Sequence, residues 1–97
     1  MSDYYDINGK PITAQEWSKM YTRENQRVDA TTLPDGKWVS TVWLGLNHQY
    51  GDGPPLIFKT MVFPSEENLS ELDMERHSTL EEAKAGHQRM VLKWGAQ

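Results

Sequence analysis

The sequence predicts an α+β fold: a three- to four-stranded antiparallel meander sheet with a short N-terminal helix and a long C-terminal helix. Three observations lead there. Residues 37–46 and 56–63 are dense in β-branched and aromatic side chains, which favour strands. Turn-forming Pro, Asp, Asn and Gly punctuate the extended runs. From Ser78 onward the apolar residues change to a helical period.

Each element follows from local chemistry. Tyr4 to Ile7 is extended in character, and Asn8-Gly9 is a turn because both residues tolerate positive φ. Pro11 keeps Lys10 extended. Thr13 and Glu16 stand at capping-box spacing, so a helix starts at Ala14. It runs to about Arg23, with Trp17, Met20 and Tyr21 on one face. A first strand is expected over Arg27–Leu33, closed by the turn Pro34-Asp35-Gly36.

Lys37–Leu46 is the strongest strand. Both of its alternating sets, Trp38/Ser40/Val42/Leu44/Leu46 and Val39/Thr41/Trp43/Gly45, are largely apolar, so both faces should be covered. Leu56–Phe63 reads the same way. Pro64–Ser70 is a polar connection. Glu71–His77 alternates Leu72, Met74 and Arg76 against Asp73, Glu75 and His77, an edge strand with one solvated face. Ser78 or Thr79 caps the last helix, whose stripe is Leu80, Ala83, His87, Met90, Val91 and Trp94, and Gly95 stops it.

The chain of 97 residues is expected to be one domain, 1–97. A domain this small buries only about 60–65% of its unfolded surface. Self-association, most simply as a dimer through a second apolar sheet face, is therefore expected. The net charge is -4 and the ten basic residues are scattered, which argues against a nucleic-acid partner and for a basic protein surface. No apolar run approaches the roughly 20 residues of a membrane span. MSDYYDINGK has no basic-then-apolar leader, so a cytosolic protein is expected. With no cysteine there is no disulfide, thiolate nucleophile or Cys-type zinc site.

Candidate chemistry is sparse. Ser40 and Thr41 sit in mid-strand, without the strained exposed turn a nucleophile needs. No catalytic residue is therefore assigned. Glu66, Glu67, Glu71, Asp73 and Glu75 read as a solvated acidic edge. Of His48, His77 and His87, only His87 falls on a helix, so no metal-binding pair forms and no metal is expected. His87, on the apolar stripe, reads as a core histidine bonded to a neighbour. Gly51-Asp52-Gly53 lacks the Lys and Ser/Thr of a phosphate loop, and no cofactor is expected. Asn47–Pro55 is too long for a simple hairpin. The candidate binding residues are His48, Tyr50, Gly51 and Gly53 of that loop, with Trp43, Arg76 and His77 as neighbours. Aromatic faces and Arg forks suit a protein or a small ligand as partner.

The segments Trp38–His48, Gly51–Phe58 and Met61–Phe63, with the opening Tyr5-Asp6-Ile7-Asn8-Gly9-Lys10-Pro11-Ile12 and the helical Ala83-Lys84-Ala85-Gly86-His87, carry a resemblance. The chain resembles a group of small proteins of tailed bacteriophages and prophages. Lys59 departs from that group, which is more often acidic there. The resemblance implies a phage accessory protein in the host cytoplasm. Together with the absence of a catalytic constellation, it leads to the expectation of a non-enzymatic binding module. Such a module would inhibit or sequester a host component, a defence system included. The alternatives are a small phage enzyme and a virion-associated structural protein.

Overall fold

The computed structural model describes residues 3–47 and 53–96. Strands β1 (Tyr4–Tyr5) and β2 (Pro11–Ile12) pair as a small antiparallel ribbon around Asn8-Gly9. The Asp6 carboxylate accepts from the Asn8 and Lys10 amides at 2.9 Å each. Helix α1 (Ala14–Met20) starts at the expected Thr13/Glu16 capping box. It ends at Met20 rather than near Arg23 because Thr22 is extended and caps a second short helix, α2 (Arg23–Gln26).

Four strands follow: β3 (Arg27–Thr32), β4 (Trp38–Trp43), β5 (Phe58–Phe63) and β6 (Asp73–His77). They lie in the order β3-β4-β5-β6, each antiparallel to the next. This is the predicted α+β meander, with four strands. The long helix α3 (Leu80–Gly95) starts at a Thr79/Glu82 capping box and stops at Gly95, as its sequence predicts.

Strand β4 is shorter than the run 37–46. Gly45 takes φ +70°, a left-handed conformation that glycine adopts without a Cβ penalty. A Cβ there would lie 2.5 Å from Trp17 Nε1 and 2.7 Å from Trp43 Cζ2. Both indoles press on this point. Trp17 Nε1 donates to the Leu44 carbonyl at 3.0 Å and Trp43 Nε1 to the Tyr5 carbonyl at 3.2 Å.

The core lies between the sheet and α3 in two clusters. Leu33, Val39, Val62 and Met90 form one, with Trp94 against it. Trp43, Ile57, Phe58 and Ala83 form the other. Each large side chain buried here is worth about 1.5–3 kcal/mol. Trp17 of α1, Tyr21 at its C-cap, Tyr5 of the ribbon and Leu80 of α3 all pack on the second cluster. The N-terminal elements therefore extend the α3 layer sideways.

The expectation that both faces of the central strands are covered is met only in part: on the second face Ser40 and Phe63 are buried, while Trp38, Val42, Lys59 and Met61 are half-buried. Among the described residues only α2 and the connection 64–72 flank the far face. On β6 the charged set turns toward α3, because α3 supplies partners for it. Asp73 accepts from Lys93 Nζ at 2.8 Å and Trp94 Nε1 at 3.0 Å, and Glu75 from Arg89 Nη2 at 2.8 Å. The Lys93 and Trp94 bonds hold the Asp73 carboxyl below the usual carboxylate range.

Candidate functional site

Antiparallel register sets the uncovered face as three rows across the strands. The first row is Arg27–Val42–Lys59–Arg76. The second is Ala30–Ser40–Met61–Met74, and the third is Thr32–Trp38–Phe63. The first row puts Lys59 directly opposite Arg76, with Arg27 beyond Val42. Like charges facing each other across strands destabilise a sheet unless neutralised. Glu71 neutralises Lys59 at 2.6 Å. Arg76 Nη1 is buried and has no hydrogen-bond partner. The third row is aromatic, with Trp38 and Phe63 stacked at 5.7 Å between ring centroids. Beside it the connection from Phe63 crosses the face, and Thr32 Oγ1 donates to Glu66 Oε1 at 3.0 Å.

Between α2 at the cationic end and this connection at the aromatic end lies a groove of about 450 Å³. Its floor is Trp38, Ser40 and Val42. Arg23, Gln26 and Arg27 form one wall, Glu66 and Leu69 the other. Leu69 is 67% exposed, and Leu72 and Met74 stand exposed nearby in sequence. Sequence patterning identified an apolar second face but missed its division into a cationic and an aromatic end. That division depends on register across four strands.

The opposite face holds the titratable groups that could do chemistry. Five side chains form one hydrogen-bonded chain across the core. His87 Nε2 meets Thr31 Oγ1 at 2.9 Å, and His87 Nδ1 meets Thr41 Oγ1 at 2.8 Å. Thr41 Oγ1 meets Thr60 Oγ1 at 2.7 Å, and Thr60 Oγ1 meets His77 Nε2 at 3.0 Å. Each hydroxyl and each neutral imidazole brings one proton. When its bonds all run in one direction, so that every proton is used within it, both rings are protonated on Nδ1 or both on Nε2. Burial pushes both imidazoles below their ordinary value. The Asp29 carboxylate, 3.7 Å from His87 Nε2, opposes this at one end, and Glu75 does so at the other. Gly86 makes room for the chain: a Cβ there would lie 2.2 Å from His77 Cε1.

The residues singled out by sequence do not come together. Trp43 is 2% exposed and His77 5%, and both lie on the α3 side. Arg76 is on the uncovered face. Gly53 is exposed at the edge of the described chain. His48, Tyr50 and Gly51 lie outside the described residues. The base of their loop is tied down: Asn47 N–H donates to the Asp3 carbonyl at 3.1 Å, and Asn47 Oδ1 accepts from the Leu56 amide at 3.2 Å. His87 is the hydrogen-bonded core histidine its position on the stripe predicts.

Among the described residues no three His, Asp or Glu side chains converge as a metal site, and no helix is long and apolar enough to cross a membrane. Set against family models, curated proteins and solved structures, the chain matches none.

Proposed function

We propose that the chain is a non-enzymatic binding module that works by protein–protein contact, and that its contact surface is the uncovered sheet face. One observation carries this reading. A four-stranded sheet is sealed on one side and, on the other, presents a groove with an apolar floor, arginines on one wall and an exposed leucine on the opposite wall. Aromatic and Arg side chains around an apolar centre are the composition of protein contact sites. Both described histidines are enclosed in the core, beyond the reach of a substrate, which supports a non-enzymatic role. The resemblance to small phage proteins supports an accessory protein of the host cytoplasm that occupies or sequesters a host component.

The test uses exposed positions, so that the fold is kept. Leu69→Asp with Arg23→Glu alters both walls of the groove. Wild-type protein should retain a specific host protein from lysate, and the variant should lose it while its thermal unfolding moves by only a few degrees. Equal retention by the folded variant would contradict the reading.

A further inference from the structure

We infer that the occupant of the uncovered face is a second copy of this chain, paired about a two-fold axis that lies in the face and runs across the strands along the row Ala30–Ser40–Met61–Met74. The inference rests on the reading that this face is a protein contact and deepens it: in the free protein a second copy holds the face, and a host component takes it by displacing that copy.

A two-fold interface brings one patch against itself, so the patch must be self-complementary under the rotation. This one is, and the complementarity is ordered along the strands. One end carries exposed Arg27, with exposed Arg23 on the adjoining α2, beside the Glu71-paired Lys59 and the partly buried Arg76. The other end carries Trp38, with Glu66 on the connection over it. Rotation about the middle row lays the cationic end of each copy on the aromatic and acidic end of its mate. Arginine meets an indole face and a carboxylate there, both of which attract it. The middle row meets itself through half-buried Met61 and exposed Met74, pliant side chains suited to self-contact, over a buried Ser40. Leu69, 67% exposed on the groove wall, gains an apolar partner in the other copy's groove. An acidic peptide fits less well, because Glu66 lines the same groove and repels it.

Sedimentation of charge-reversed variants tests the pairing. Wild-type protein should be dimeric at tens of micromolar in low salt. Arg27→Glu alone and Glu66→Lys alone should each sediment as folded monomers, since each places like charges across both halves of the interface. An equimolar mixture of the two should return to dimer, because every reversed residue then faces its reversed partner. The double variant R27E/E66K should dimerise by itself for the same reason. Arg23→Glu substitutes for Arg27→Glu if the latter fails to fold.

Failure of the mixture to associate, or a wild-type protein that stays monomeric at these concentrations, would overturn the inference. A wild-type monomer that binds a poly-glutamate peptide, and loses it on Arg27→Glu, would assign the face to an acidic partner instead. The two readings fail separately. A monomer whose host capture still depends on Leu69 and Arg23 removes the second copy and keeps the contact face. A monomer whose capture ignores them removes both.

Discussion

The two faces of the sheet are built from the same four strands and put to opposite uses. Toward α3 the polar side chains of the central rows are paired: Thr41 and Thr60 join His77 and His87, and Asp73 and Glu75 meet cations of the helix. On the far side the rows end in an unpartnered Arg76 nitrogen, exposed apolar side chains and a groove. The difference teaches that burial and satisfaction go together on the side packed by α3, while the other side combines a buried unpaired Arg76 nitrogen with an open groove. Substitutions should therefore divide by face. On the sealed face they act on stability; on the uncovered face they act on association.

The largest effect is expected at Gly86. Gly86→Ala drives a Cβ into the His77 ring and forces it away from Thr60. Overpacking costs about 1–3 kcal/mol, and the broken chain raises this to about 3 kcal/mol or more, read by denaturant unfolding. An unchanged midpoint would mean that His77 has a second place to sit. Next comes Thr60→Val, nearly the same shape, which removes the only bond shown for His77 Nε2. A loss of about 1–3 kcal/mol is expected for the buried group left unpaired.

Acid should act on the same chain. Both imidazoles are held neutral by burial, below their ordinary value of 6.5. Between that value and the lowered folded values, the unfolded chain binds more protons than the folded one, so stability rises with pH through this window. Unfolding free energy measured against pH should fall as pH drops below about 6.5, and the Thr60→Val protein should show a different profile there. A flat profile from neutral pH to about pH 5 would contradict the neutral, desolvated histidines. The smallest stability effect belongs to the uncovered face. Measured at a concentration low enough that no copy associates, Arg27→Glu and Leu69→Asp should each change unfolding free energy by less than about 0.5 kcal/mol; at higher concentration both should lose whatever stability association adds.

Much of this was legible in the sequence, for reasons that are local. The Thr13 and Thr79 boxes, the Asn8-Gly9 and Pro34–Gly36 turns, and the dense strands at 38–43 and 58–63 each declare themselves within a few residues. His87 on its apolar stripe announces a satisfied core histidine. What stayed hidden is non-local. The break between α1 and α2 depends on Thr22 capping a helix of its own, and the end of β4 on two indoles closing over Gly45. The inward turn of Asp73 and Glu75 depends on Arg89, Lys93 and Trp94 arriving from α3. The candidate site was hardest to read. Trp43 and His77 look like partners of Arg76, but Arg76 is on the opposite face, because adjacent strand positions alternate between faces and Trp43 lies across from His77's neighbour Phe58.

Oxidation of methionine by dilute peroxide, followed by mass spectrometry as protein concentration is raised, tests the division of faces most directly. Met20 and Met74 are equally exposed, 37% each, and Met90 is 2% exposed. Met20 lines a separate cavity with Ile7, Asn25 and Trp43, whereas Met74 stands on the uncovered face. Met90 should resist oxidation at every concentration, and Met20 should react alike at all of them. Met74, with Met61 beside it, should react in dilute protein and become protected as concentration rises. Equal behaviour of Met20 and Met74 across the series would contradict the account.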